Sequence, residues 1–289
     1  MRRSLEGFSL LELVVVLVML GLVGATVASL LLRQQRFYRG TSELLYAREG
    51  VRDALDVLAT DIRGIAVADT VRLLADSAIE MFSAIGGSVV CDRTSDAELG
   101  MPRSHGSGNT LTSLLTEPDS GDLALFYRDS APNGSNWERH RITGFSVRTA
   151  ASCPAFQLTL ATPLSSDART GTPVRFIRRG RYSLYRASDG EWYLGYRRCN
   201  ALGPPACGSI QPLSGPYRAY SSNRDATGIL FEYFDAHGAP LTAASSPLEL
   251  ARVDVTARAE SRHRIIVEQN AISPGDSATL SVAIRNRAP

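Results

Sequence analysis

Lysine is missing from this chain. All 31 basic residues are arginine, which excludes chemistry that needs a lysine amine, such as Schiff-base formation or a phosphate-loop lysine. A GC-rich genome is the simplest source of that bias. Net charge is scarce as well: 31 cations against 29 acids leave +2, so no global field draws the chain to nucleic acid or acidic lipid. There are four cysteines and four histidines, without C-x-x-C spacing and with the histidines scattered, which argues against a zinc site. No G-x-S-x-G or H-E-x-x-H motif occurs, and Gly106-Ser107-Gly108 lacks the spacing and the lysine of a phosphate loop. No catalytic residue, metal ligand or cofactor site is expected. What remains is an ordinary globular composition, 44% hydrophobic and 21% charged over 289 residues. That length suits one or two domains with a sizeable core, and excludes collagen-like and wholly disordered classes.

The averages hide an asymmetry at the N-terminus. Leu13 to Leu32 reads LVVVLVMLGLVGATVASLLL and carries no charge. Twenty helical residues span roughly 30 Å, the thickness of a bilayer's hydrocarbon core. Arg2 and Arg3 stand before the run, and Arg33, Arg36 and Arg39 after it. A secretory signal peptide has a shorter apolar part and ends in an A-x-A-like cleavage site. A buried core helix would show a polar face. A membrane-spanning helix is therefore expected over 8–32. Arginines flank both ends, so charge alone does not fix its orientation.

Glu12 interrupts the apolar stretch from Phe8 to Leu32. A carboxylate at membrane depth costs about 2.5–3.5 kcal/mol on insertion scales unless it is paired. Its surroundings are Gly7-Phe8-Ser9-Leu10-Leu11-Glu12-Leu13, behind a short basic leader. This segment resembles the class III signal of type IV prepilins. The resemblance implies that a membrane-embedded prepilin peptidase cuts between Gly7 and Phe8, removes residues 1–7, and leaves an N-methylated Phe8 amine. Glu6 departs mildly from the basic or small residue usual before the glycine. Cleavage would place a cation four residues from Glu12, on one helix face. The family implies that this amine–carboxylate pairing sets the axial register of subunits, with the leader in the cytoplasm and the bulk of the chain exported. Gly21, Ala25 and Ser29 recur every four residues, a small-residue stripe suited to close helix packing in membranes.

The helical pattern continues beyond the apolar run. Leu44, Ala47, Val51, Leu55, Leu58 and Ile62 recur at steps of three or four, which predicts an amphipathic helix over 33–64 with one face on a soluble domain. A helix from Phe8 to Arg63 would be roughly 80 Å long, the ladle shape of a pilin. Gly40 and Gly50 are candidate bends. Past Ile65 the texture becomes strands and turns. Strands are expected at Leu123–Tyr127, Arg141–Arg148, Phe156–Ala161, Arg181–Ala187, Glu191–Arg197, Ile229–Phe234, Arg252–Ala257 and Leu280–Ile284, with Asp189-Gly190 as a hairpin turn. Glu98–Leu111, Asp129–Trp137 and Leu202–Tyr217 read as Gly-, Ser- and Pro-rich connections. The expected fold is α+β and pilin-like: a long N-terminal helix packed on a mostly antiparallel, β-rich domain over 65–289.

Cys91, Cys153, Cys199 and Cys207 all fall on the expected exported side, where disulfides form. Three connectivities are open. Cys91–Cys153 with Cys199–Cys207 is favoured, because the second pair brackets Gly203-Pro204-Pro205; such bridges contribute roughly 4 and 2.5 kcal/mol in the chain-entropy model. Arg175 to Arg198 interleaves seven arginines with Tyr182, Tyr185, Trp192, Tyr193 and Tyr196. Strand alternation would send the aromatics inward and the arginines to solvent. The competing reading is binding of DNA or another anion by phosphate contact and stacking.

Looser similarities to the W-type minor pilins and J-type pseudopilins lie in Arg52-Asp53-Ala54-Leu55 with Asp61-Ile62-Arg63, in Phe231-Glu232-Tyr233-Phe234-Asp235, and in Ala283-Ile284-Arg285-Asn286. They imply a low-abundance, non-enzymatic subunit of an initiation or tip complex, in a type IV pilus or a type II secretion pseudopilus. Its partners would be the prepilin peptidase, other major and minor pilins or pseudopilins, inner-membrane lipid and the inner-membrane assembly platform. Glu12 sets it apart from the tip-capping pseudopilin type that lacks this glutamate. A tip adhesin or DNA receptor is the alternative expectation, and a membrane-anchored periplasmic enzyme a weaker one.

Overall fold

The computed structural model describes residues 9–65, 71–104, 108–128, 137–148, 155–165, 168–201, 206–243, 245–261, 265–267 and 270–284. One helix, α1 (Leu10–Arg63), precedes the strands. It runs uninterrupted through Gly21, Gly24, Gly40 and Gly50. At its start the Leu13 amide donates to the Ser9 carbonyl at 3.2 Å. At its end Gly64 donates to Thr60 O, and the Gly64 carbonyl accepts from the Ala84 amide at 3.1 Å. The last helical turn is thus tied directly to the sheet.

The strands follow in chain order: β1 (Val71–Ala75), β2 (Ala78–Val89), β3 (Asp92–Ser95), β4 (Glu98–Pro102), β5 (Ser113–Leu114) and β6 (Leu123–Tyr127). Then come β7 (Trp137–Arg148), β8 (Ala155–Leu160), β9 (Pro173–Arg186), β10 (Trp192–Arg198), β11 (Gln211–Tyr217) and β12 (Ile229–Phe234). The last are β13 (Pro240–Leu241), β14 (Arg252–Glu260), β15 (Ile265–Val267), β16 (Asn270–Ile272) and β17 (Gly275–Ala283). Fifteen of them join one sheet, and β15–β16 form a separate hairpin. Every pairing among the described strands is antiparallel. The expected α+β architecture, a long N-terminal helix with an antiparallel sheet, is present.

The second half of α1 lies on this sheet. Ala47, Gly50, Val51, Ala54, Leu55, Leu58, Ala59 and Ile62 are buried, which matches the expected face except that Leu44 is only half-buried. They share a core with Tyr182, Leu184, Leu194, Phe231, Val253, Val255 and Val282 from five strands. Small residues at 47, 50, 54 and 59 let the helix lie close to the strands. A second core gathers Val90, Leu99, Met101, Phe126, Ile142, Leu158 and Phe176 away from the helix.

Two expected connections contain strands. Glu98–Pro102, the first residues of Glu98–Leu111, is β4, paired with β3 and β8. Gln211–Tyr217, the end of Leu202–Tyr217, is β11. Its Pro212 and Pro216 are tolerated because β11 pairs irregularly with β10 and meets β14 only at Tyr217↔Ala259. The strand β2 was hidden for another reason. Six consecutive residues from Ala78 to Ser83 are buried, so no polar–apolar alternation marks it.

Candidate functional site

Among the described residues, the first half of α1 packs on nothing. Every residue from Ser9 to Arg39 is exposed, and the most apolar window of the helix has no buried residue. The helix is long and apolar enough, by length and composition, to cross a membrane. Its hydroxyls are already satisfied: Thr26 donates to Val23 O and Ser29 to Thr26 O, both at 2.8 Å. Such back-bonding removes a donor that hydrocarbon could not satisfy. Glu12 sits in the first turn, exposed on this bare rod. Gly21, Ala25 and Ser29 are exposed too, and a methyl group at Gly21 would meet nothing within 4 Å. The stripe therefore serves no packing inside the subunit. Gly7 and Phe8, the expected cleavage and methylation residues, lie outside the described residues.

Below Glu43 the helix is fastened by polar contacts that sequence reading did not anticipate. Tyr182 donates its hydroxyl to the Asp61 carboxylate. Burial raises the Asp61 pKa above its ordinary value, although the Tyr182 bond opposes the shift. Burial, and then the Asp61 charge, also push the Tyr182 hydroxyl up. Tyr217 donates to the Gly50 carbonyl at 2.6 Å, and burial pushes its hydroxyl up to about 12. Arg48 pairs with Asp276 of β17 at 3.3 Å on the exposed side. Beside this seam lies a cavity of about 470 Å³, whose lining includes Glu43, Glu49, Asp53 and Glu260 with Tyr46 and Pro216.

The arginine-rich strands do not form the expected solvated face. Even-numbered positions of β9 carry Arg178 and Tyr182, and odd-numbered ones Arg179 and Tyr185, so alternation mixes the two types on both faces. Arg178 grips the buried Asp122 with two nitrogens, at 3.0 and 2.7 Å. Arg198 bonds the same carboxylate at 3.0 Å and Asp119 at 2.6 Å. That Arg198 bond, foremost, holds the Asp119 carboxyl below its usual range. Arg179 is buried and bonds Glu80 through Nε at 2.8 Å and again through Nη2, with Asn200 O at 2.9 Å. Arg175 lies 4.8 Å above the Trp137 ring centre. Gly180 gives the Tyr196 ring its place, since a Cβ there would fall 2.5 Å from Tyr196 Cε2. These cations are used for pairing inside the subunit, Arg179 with Glu80 of β2 and Arg178 and Arg198 with Asp119 and Asp122 of the connection before β6, which leaves Arg178, Arg179 and Arg198 neutralised rather than offered to an anion.

Cys199 and Cys207 are disulfide-bonded, as favoured from the sequence. Cys91 is disulfide-bonded as well; Cys153, its expected partner, lies outside the described residues. The Glu80 carboxylate approaches the Cys199 and Cys207 sulfurs within 4.8 Å, but those sulfurs are consumed in the bridge and Glu80 is held by Arg179.

One polar cluster has the residue types of a hydrolase. Ser165 donates to Glu138 at 2.6 Å, and His140 Nε2 meets the same carboxylate at 2.8 Å. Burial pushes the Glu138 carboxyl up, but the bonds from Ser165 and His140 outweigh it and hold it below its usual value. The serine is bonded to the carboxylate and not to the imidazole, so no nucleophile–base pair is assembled.

No family model matches the chain, and neither a curated protein nor a solved structure is significantly similar to it.

Proposed function

We propose that this chain is a minor pilin-like structural subunit that helps initiate, or forms the tip of, a type IV pilus or type II secretion pseudopilus after prepilin peptidase cleavage. The observation that carries the reading is the division of α1. Its second half is locked into the subunit's core, whereas the first half exposes its whole apolar circumference with Glu12 in the first turn. A soluble protein has no use for such a rod, but a subunit that waits in a bilayer and then bundles with other helices does. The Gly7-Phe8 junction supplies the switch between the two states, since the cationic amine opposite Glu12 exists only after cleavage.

In this reading the leader is cytoplasmic, the sheet is exported across the inner membrane, and Gly21, Ala25 and Ser29 face partner helices. Other pilins or pseudopilins, and the inner-membrane assembly platform, are the partners. Mass spectrometry of the protein from cells with an active prepilin peptidase tests the reading. The expected mature chain begins at N-methylated Phe8. A chain retaining Met1 to Gly7 would remove the proposal. Deletion then separates the two machines, by loss of pili or loss of protein secretion.

A further inference from the structure

Between the apolar span and the sheet, α1 crosses about two turns in the open. All seven residues from Arg33 to Arg39 are exposed. Arg33, Arg36 and Arg39 have no ion pair among the described residues, in contrast to Arg178, Arg179 and Arg198 of the sheet. At about 100° per residue these three arginines cover roughly a third of the helix circumference. Tyr38 lies on the opposite side and Phe37 beside Arg33, 70% and 71% exposed, with ring centres 6.2 Å apart. Seven residues rise about 10 Å, against roughly 5–8 Å for one headgroup layer of a bilayer.

From this we infer that Arg33, Arg36 and Arg39 form a collar that binds the phosphate groups of acidic phospholipids in the leaflet on the sheet side. The inference rests on reading α1 as a membrane anchor. Three arguments favour lipid as the occupant. The segment continues directly from Leu32, the last residue of the span. It is long enough to cross the headgroup layer with a residue or two to spare. Its mixture of long cationic and aromatic side chains is the pairing that settles at that layer, the arginines reaching phosphate and the rings lying among glycerol groups. Three like charges at steps of three along a helix repel one another, and a layer of phosphates relieves that repulsion. The collar also explains why the sheet side of the span carries more arginine than the leader side, against the usual bias.

The test uses the full chain reconstituted in phosphatidylcholine vesicles with trace spin-labelled phosphatidylglycerol or spin-labelled phosphatidylcholine. The helix-restricted fraction of each label gives the lipid preference. We expect phosphatidylglycerol to be favoured roughly twofold to fivefold. The preference should fall markedly in R33Q/R36Q/R39Q, to what Arg2 and Arg3 at the other end of the span contribute, fall toward one in high salt, and persist in R33K/R36K/R39K. Equal restriction of both labels by the unaltered chain, or an undiminished preference in the glutamine variant, would overturn the inference. An acidic partner helix as the true occupant would give the first of these results. Resistance of the reconstituted chain to alkaline extraction is measured alongside: a chain that does not insert defeats the anchor reading itself, whereas insertion without preference defeats only the collar.

Discussion

Glu12 and Asp61 are both carboxylates of α1, and the structure treats them in opposite ways. Among the described residues Glu12 has no partner from the sheet, and it stands on the exposed half of the rod. Replacing it with alanine removes a charge that costs free energy in hydrocarbon, so the single subunit should insert in the membrane at least as well. If Glu12 is the counter-ion for the Phe8 amine, Glu12→Ala is processed normally but its incorporation into filaments falls sharply; immunoblots of sheared filaments against whole membranes measure this, and unchanged incorporation ends the register argument. Asp61 belongs to the seam. Its raised pKa means that the folded chain holds the proton more tightly than the unfolded one. Its contribution is therefore most favourable below the ordinary carboxylate value and is lost as pH rises through the raised folded value. Asp61→Asn keeps an oxygen for the Tyr182 hydroxyl while discarding the buried charge. Thermal unfolding at pH 7 should shift upward by roughly 2 °C, with the gap to the unaltered chain closing toward pH 4. A downward shift at pH 7 would show that the ionised form is the one the seam prefers.

At the scale of elements, the helix was legible and so were the eight expected strands, which coincide with or overlap β6, β7, β8, β9, β10, β12, β14 and β17; the pairing of side chains across the sheet was not. The apolar run and the spacing of Ala47, Val51, Leu55, Leu58 and Ile62 are local signals, carried by residues that are neighbours on one helix face. The arginines of β9 find Asp122 and Glu80 at separations of 56 and 99 residues, and Tyr182 finds Asp61 at 121. Nothing within a window of sequence holds that information. One clue was nevertheless available, because the numbering of Arg178, Arg179, Tyr182 and Tyr185 already placed both types on both faces. The candidate bend at Gly50 also reads differently now. Gly50 is buried in a continuous helix, and a Cβ there would meet Gly215 O at an ordinary 3.8 Å. The site does not need glycine for room, so its backbone freedom is a net cost. Gly50→Ala should stabilise the fold by about 0.5–1 kcal/mol in thermal or denaturant unfolding. Destabilisation would show that the Tyr217 bond to the Gly50 carbonyl, at 2.6 Å, tolerates no shift of the helix.

For the whole molecule, the near-neutral and averagely polar composition is the mean of two unlike parts. Among the described residues, a rod that buries nothing is joined to a sheet whose cores draw on α1 only from Ala47 onward. On the membrane reading, bilayer and core are different solvents for different stretches of one helix. In a bilayer the first half would be stable because its backbone bonds are all internal. The other half is stable because roughly eight of its residues leave water against the strands. If that division is correct, the energetics of the two halves are separable. A fragment starting at Gly40 keeps every buried position of α1, together with Arg48, Asp61 and the whole sheet. It should be soluble without detergent, with a cooperative unfolding transition within about 3 °C of that of the detergent-solubilised full chain, since about seven frayed residues before Ala47 contribute little. Circular dichroism melts and sedimentation decide the matter. Aggregation, or loss of the cooperative transition, would mean that the bare rod contributes to folding of the sheet and that the helix cannot be divided between two solvents.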